Sequence, residues 1–239
     1  MKSMISNKFR YILVALFLGL FLGSLSSCSD DDEIPSVTPT DTGVMQDKDG
    51  NEYKWVRIGN LDWMAENLHC GIPFYEDADN DKWGSYYGLS LPGDIPTCEQ
   101  YFQTFGNYYS WQEAMDNVPD GWRLPTDEDW KNLEKELGMK SSDLDKEGWR
   151  NGSSYLMAQD GEGTLLNMRY GGCICYFGYS VGIYHYYDFG YYWTGTSTVV
   201  NNEPAAYARM ITPGRNAVNR LQVLQEQRFM SVRYVRDAQ

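Results

Sequence analysis

Apolar positions fall into three regimes along this chain. Residues 11–22 are a nearly unbroken apolar run, softened only by Gly19. Between residues 44 and 139, short apolar stretches alternate with turn residues, and from residue 165 onward glycines and tyrosines punctuate β-like segments. In the second regime Asp49-Gly50-Asn51 is a strong turn signal and residues 52–58 behind it read as a strand, which predicts a hairpin. Gly59-Asn60 turns the chain again into residues 61–64. Residues 70–98 mix acids, aromatics and glycines and end near Pro92-Gly93-Asp94, so they read as loop. Two helices follow. Ser110 caps the first, with Glu113 three residues on in a capping box; Trp111, Ala114 and Met115 form its apolar face before Pro119-Asp120-Gly121 stops it. Thr126 opens the second, and Asp127, Glu128 and Asp129 occupy a first turn where the helix dipole favours negative charge. Trp130, Leu133 and Leu137 make one stripe and Gly138 ends it. Residues 165–235 read as strands joined by long loops, most clearly at 205–211 and 229–235. The reading is an α+β domain without internal repeats.

The first regime has a different logic. About a dozen apolar residues are too few to span a hydrocarbon core of about 30 Å, which needs about 20. With Lys2, Lys8 and Arg10 ahead of it and small residues behind, the run reads as the core of a signal peptide. Leu25-Ser26-Ser27-Cys28 resembles the bacterial lipobox, which implies removal of residues 1–27 and transfer of diacylglycerol to the Cys28 thiol. Each buried CH₂ contributes about 0.8 kcal/mol, so two or more acyl chains anchor stably without spanning the membrane. Residues 28–43 then form a tether: Ser29-Asp30-Asp31-Asp32-Glu33, followed by an extended stretch with Pro35 and Pro39. An acidic run directly after a lipidated cysteine resembles the surface-export signal of Bacteroidetes lipoproteins; its plainer reading is a solvated spacer. The expected location is the outer membrane, facing the cell exterior.

Removing Lys2, Lys8 and Arg10 leaves 17 of the 20 basic residues against all 33 acids, a formal charge of −16. Such a surface repels phosphate backbones, which argues against nucleic acid as a partner. Residues 44–239 suit one domain with a sizeable core. With 19 Tyr and 8 Trp, aromatics must carry much of that core, and some are expected at the surface. Beyond Cys28 the cysteines are Cys70, Cys98, Cys173 and Cys175, which allow three pairings in an oxidising compartment. Cys70–Cys98 would close the loop where a crosslink helps most. A Cys173–Cys175 bridge would be strained; on a strand both thiols face one side, so free and buried is the alternative.

The same segments resemble a known family. Asp49-Gly50-Asn51-Glu52-Tyr53, Ile58-Gly59-Asn60 and Trp63-Met64-Ala65-Glu66-Asn67-Leu68 are similar to the opening of the Fibrobacter succinogenes major paralogous domain. Tyr108-Tyr109-Ser110-Trp111, Pro119-Asp120-Gly121-Trp122-Arg123-Leu124-Pro125-Thr126, Leu137-Gly138-Met139 and Gly148-Trp149-Arg150 continue it in order. Tyr192-Trp193-Thr194-Gly195-Thr196 and Ser231-Val232-Arg233-Tyr234-Val235-Arg236-Asp237 complete it, so the resemblance covers essentially all of residues 44–237. It implies an exported, lipidated protein of the Bacteroidetes type and a C-type-lectin-like fold, with two helices flanking a twisted, mostly antiparallel sheet and the termini paired. It implies no activity. Two departures stand out: Thr194-Gly195 replaces the family's Ser-Ser, and Tyr234 stands where a cysteine is common, so the cystine pattern differs.

Trp122-Arg123-Leu124-Pro125-Thr126 also resembles the formylglycine-generating enzymes, but Cys173 and Cys175 are too closely spaced for that chemistry and lack its surrounding motif. An enzyme of that kind, or one acting on polysaccharide, is the alternative to the main reading. The only histidines are His69 and His185, and no nucleophile elbow, HExxH motif or phosphate loop is present. Asp77, Asp79 and Asp81 alternate as calcium ligands do, yet Lys82 and Gly88 stand where an EF-hand needs Gly and Glu, so a solvated acidic loop is the plainer reading and no cofactor is required. Glu203-Pro204-Ala205 lacks the amide ligand of calcium-dependent lectins. The aromatic run from Tyr176 to Trp193 remains, with Tyr184, Tyr186, Tyr187 and Trp193 as candidates to stack on a ligand or, equally, to pack as core. The functional expectation is a non-enzymatic surface recognition or adhesion module for a glycan or a protein, in a fimbrial or other surface assembly; a purely structural subunit is the third reading.

Overall fold

The computed structural model describes residues 35–74, 98–158, 161–177, 180–226 and 228–239. Its strands are β1 (Thr42–Gln46), β2 (Glu52–Ile58), β3 (Leu61–Met64), β4 (Gly148–Asn151), β5 (Cys173–Phe177), β6 (Ser180–Tyr184), β7 (Gly190–Val200), β8 (Glu203–Ile211), β9 (Ala217–Leu224), β10 (Arg228–Phe229) and β11 (Val235–Asp237). Its helices are α1 (Cys98–Phe105), α2 (Trp111–Asp116), α3 (Asp127–Glu136) and α4 (Ser154–Met157). The chain is α+β, and among the described residues the strands form three sheets in which every strand pairing is antiparallel. The sheets have the orders β1-β2-β3-β11, β10-β5-β6 and β4-β9-β8-β7.

The first hairpin forms as its turn residues dictate. Gly50 takes φ +84°, and the Asp47 carboxylate receives the backbone N–H groups of Asp49 at 2.9 Å and Asn51 at 3.0 Å, an Asx-type lock that sets Gln46 opposite Glu52. Gly59, at φ +62°, makes the second tight turn and puts Ile58 opposite Leu61. The expected start at residue 44 falls inside β1, which begins at Thr42. Upstream of it Thr40 and Asp41 already exchange backbone hydrogen bonds with Arg57. β11 lies antiparallel on β3, with Val235 opposite Trp63, so the first and last described strands belong to one sheet.

Both helix starts follow the sequence reading. Ser110 and Thr126 sit in extended backbone and accept from the N–H groups of Glu113 and Asp129, whose side chains return the bond. Trp130, Leu133 and Leu137 are buried against Trp63, Leu156, Leu166 and Tyr192, and the Trp63 and Trp130 rings meet edge-on at 5.1 Å. Two features depart from the expectations. Helix α1 arises in a stretch to which the sequence reading assigned no element, because Tyr101 and Phe105 are only one turn of apolar pattern; they pack with Phe74, Tyr108, Ile174 and Phe229 in a separate core cluster. The strand expected at 229–235 is split: Met230 bridges to Tyr109 and Ser231 to Tyr192 before β11 begins. The connection at 212–216 lets β9 return beside β8 and carry β4 on its outer side.

Candidate functional site

The block Ala65-Glu66-Asn67 leaves β3 and forms the floor of a polar cavity of about 190 Å³, completed by His69, Gln103 and Thr104 of α1, Gly106, Asn167, Arg169 and Arg233. On the far side of Ala65, Glu66 and Asn167 lies a larger, mainly apolar recess of about 500 Å³ lined by Val44, Trp55, Val56 and Leu165. The two share three lining residues, Ala65, Glu66 and Asn167, and are together called the groove, with a polar and an apolar end.

Arg233 organises the polar end. Its side chain is buried, and its fork donates to the Met64 carbonyl at 2.9 Å, the Leu166 carbonyl at 2.6 Å, the Asn167 carbonyl at 2.9 Å and Asn67 Oδ1 at 2.6 Å. One guanidinium therefore ties β3, the 166–167 loop and the C-terminal segment together, which gives the Ser231-Val232-Arg233-Tyr234 block a structural task. Burial draws the Arg233 pKa down to about 10, so it stays cationic. Asn67 Nδ2 in turn donates to the Phe105 carbonyl at 2.8 Å, fixing α1 to the groove. The loop on the opposite rim is held in uncommon backbone: Leu165 has φ +56° and Asn167 φ +48°. A leucine there is sterically disfavoured, and such strain gathers at binding sites. Asn167 Oδ1 accepts from Gly161 N–H at 2.9 Å and steadies the rim. His69 packs on the Tyr53 ring with centroids 4.6 Å apart. Burial lowers its pKa against the opposing pull of Asp47 and Glu66, which favours a neutral imidazole. Glu66 remains exposed although one oxygen accepts the Lys54 N–H. The groove thus presents a carboxylate, amides, a hydroxyl, an imidazole and Arg169: many directional hydrogen-bonding groups.

The aromatic run divides. Trp193 is 0% exposed and its Nε1 donates to the Tyr109 carbonyl at 2.8 Å, so of the two readings open for this ring it is core and no ligand-binding surface. It sits on β7, whose inner face is covered by the helices. Tyr184 and Tyr186 are half-buried, packed against different clusters. Tyr187 is 49% exposed and lies edge-on to Phe105, the residue after Gln103 and Thr104 of the cavity by one turn at most. His185 and Tyr187 both have positive φ, at 61° and 60°, and the turn is pinned by Tyr187 N–H to the Tyr170 carbonyl at 2.7 Å. His185 Nδ1 lies 2.7 Å from Tyr191 Oη, a packed pairing.

The cysteine expectation is corrected. Cys70 is a free, buried thiol that lies 3.1 Å from Asp49 Oδ2 and donates to it. Gly71 N–H joins at 2.7 Å. Burial, that bond and the charges of Asp47 and Asp49 push its pKa up to about 12; as a free thiol it clasps the first turn, and no Cys70–Cys98 bridge is seen. The side chain of Cys98 lies outside the described part. Cys173 and Cys175 are free and buried. Asp47, Asp49 and Cys70 come close enough to suggest a cation site, but both Asp47 oxygens already accept bonds from Asp49, Asn51 and Tyr53. Asp77, Asp79, Asp81 and Cys28 lie outside the described residues.

Sequence reasoning did not single out the groove. Glu66, Asn67 and Arg233 stood inside recognisable blocks but carried no chemical signal of their own, Gln103 and Thr104 belong to the unforeseen α1, and Asn167 and Arg169 lie in irregular chain. No curated protein and no solved structure matches this chain. The family described as the Fibrobacter succinogenes major domain does match, over residues 56–236, a span that starts within β2, ends within β11 and takes in the polar cavity, whereas Val44 and Trp55 of the apolar recess precede it; the chain belongs to that family.

Proposed function

We propose that this protein is a non-enzymatic recognition module that binds a glycan in the groove between Glu66 and Asn167, held outside the cell by lipid on Cys28. The observation that carries the reading is the cavity itself. A sugar ring presents hydroxyls that donate and accept, and the cavity offers matching groups on Glu66, His69, Gln103, Thr104 and Arg169, with an apolar recess alongside for a C–H face. Tyr187 supplies an exposed ring next to α1. Aromatic stacking and convergent polar groups are what a sugar site needs. The C-type-lectin-like architecture belongs to this proposal: the meeting of the first and last described strands in one sheet and the two capped helices favour it. The outer-membrane location facing the exterior rests on the lipobox-like segment and the acidic run behind Cys28.

The test is an oligosaccharide and protein array probed with the full chain and with Glu66→Ala and Tyr187→Ala. A set of glycans bound by the wild type and lost in both variants supports the proposal. Binding only to proteins, or glycan binding indifferent to both substitutions, overturns it.

A further inference from the structure

The residues common to both ends of the groove are already part-engaged, and what each has left to offer differs. Both acceptors of Asn167 are taken: its backbone carbonyl receives Arg233 at 2.9 Å, and Oδ1 receives the Gly161 N–H at 2.9 Å. Its side chain therefore meets a ligand only as a donor, through Nδ2. Glu66 is the converse. A carboxylate only accepts; one oxygen holds the Lys54 N–H at 2.8 Å, and the other makes no bond among the described residues. Ala65, the third shared residue, adds a methyl group and no polar side-chain atom. Where the polar cavity meets the apolar recess, the lining thus supplies one pure acceptor, one pure donor and bare carbon.

That combination discriminates among the substituents of a sugar ring. A hydroxyl keeps donor and acceptor on one atom and has no apolar part. An acylamido group separates them: its planar trans amide points N–H and C=O to opposite edges, and it ends in carbon. One edge suits Glu66, the other suits Asn167, and the acyl end enters the recess beside Val44, Val56 and Leu165. This wall is open to a ligand, since Val44 is 59% exposed. At about 500 Å³ the recess is far roomier than one methyl group requires and within the range of pockets that enclose small ligands. His69, Gln103 and Thr104 in the polar cavity remain for ring hydroxyls. A peptide bond has the same two edges, but its chain continues from the carbonyl as more backbone, whose polar groups need partners that an apolar recess lacks.

We infer that the groove selects N-acylated amino sugars, the acylamido group lying between Glu66 and Asn167 and its acyl chain in the recess beside Val44. The inference rests on the glycan reading of the groove and names the sugar class. The full chain is titrated on an array holding chitotetraose, its N-propionyl and N-butyryl analogues, its deacetylated amine, and cellotetraose, which carries hydroxyl in place of acetamido. The matching set in the galacto configuration and a set of N-acetylated peptides stand beside them. In one configuration the N-acetyl sugar is expected to bind more than about tenfold tighter than its hydroxyl counterpart, and each added CH₂ to tighten binding by about two- to fourfold. Asn167→Asp removes the donor, keeps an acceptor for Gly161 and tolerates the positive φ; it is expected to abolish the preference for acylamido over hydroxyl. Val44→Thr is expected to flatten the rise with chain length. The chain-length series needs only the wild type, so it decides even where a variant fails to fold. Hydroxyl sugars bound as tightly as N-acetyl ones, the amine bound more tightly through an ion pair with Glu66, no gain with chain length, or a preference intact in Asn167→Asp each overturn the inference and leave the glycan reading standing. Binding to the peptides alone, or to nothing on the array, overturns both.

Discussion

Arg209 Nε lies 2.6 Å from Glu134 Oε1, and both side chains are completely withdrawn from solvent. The pair is the centre of a buried network. Arg150 donates to both Glu134 oxygens at 2.7 and 2.8 Å. Arg209 also reaches Asp127 Oδ1 at 2.8 Å, and Arg220 clamps Asp127 from the other side. Helix α3 therefore turns two acids inward, toward arginines on β4, β8 and β9. Three guanidiniums meet two carboxylates, and Lys131 stands 3.4 Å from Asp127 at the network's outer edge.

The arrangement sets an order for single substitutions. Breaking a buried pair by removing one partner costs about 3–5 kcal/mol, because the other charge is left uncompensated. Glu134→Gln strips Arg150 of its carboxylate, whereas Arg209→Met leaves Asp127 with Arg220 and Glu134 with Arg150. Urea unfolding is expected to give a loss of about 3–5 kcal/mol for Glu134→Gln and a smaller one for Arg209→Met. The reverse order would place the cost in packing and not in charge.

Asp127 also sets an acid limit. Burial alone would raise its pKa, but hydrogen bonds from Arg220 and Arg209 and their charges outweigh it and hold the carboxylate well below the usual range. Asp62 is held low against burial by Arg57 and Arg236. A carboxylate with a lower pKa folded than unfolded stabilises fully above its unfolded value of about 3.9, and that stability drains away as pH falls further. Thermal melts from pH 7 downward should stay level and then fall steeply below about pH 4. In Asp127→Asn that fall should be shallower from a lower start; an unchanged slope would remove Asp127 as its source.

Gly43 shows how tightly the first sheet closes. It lies opposite Trp55, and a Cβ added there would meet indole atoms at 2.5, 2.6 and 2.7 Å. The ring has little room to yield, since Arg236 stacks on it at 4.8 Å and Arg57 at 5.7 Å. Overpacking of this kind typically costs about 1–3 kcal/mol. Gly43→Ala is expected to lower Tm accordingly and to change tryptophan fluorescence, while a neutral effect would mean the ring swings aside freely.

Tyr187 separates binding from folding. Half-exposed side chains away from buried networks usually change stability by no more than about 0.5 kcal/mol. Tyr187→Ala should therefore retain the wild-type melting profile while losing glycan retention on affinity electrophoresis. A large drop in Tm would assign the ring to packing on Phe105 instead.

The anchor is tested by labelled palmitate. Cells expressing the wild-type chain should incorporate it, and Cys28→Ser should abolish incorporation and release the protein from the membrane fraction. Label persisting in the serine variant would mean that lipid sits elsewhere on this chain, and no label on the wild type would mean that it carries none.

Much of the local structure was legible in the residue order, because its causes are local. Gly50 and Gly59 permit the positive φ of their turns, and Ser110 and Thr126 satisfy the first N–H groups of α2 and α3 through neighbours three residues away. Trp130, Leu133 and Leu137 mark a buried stripe by spacing alone, and the ordered motif blocks were enough to point to the family. Tertiary structure decided what charge and aromaticity are used for. Asp127 read only as a first-turn acid favoured by the helix dipole, and it is also neutralised by Arg209 and Arg220, which lie 82 and 93 positions away. Trp193 became core while Tyr187, six residues earlier, stayed at the surface. The groove needs Glu66, Thr104, Asn167 and Arg233 together, from four separate stretches of chain. Short-range patterns fix backbone shape, but the partner of a charge or a ring is chosen by which distant segments the sheets bring into contact.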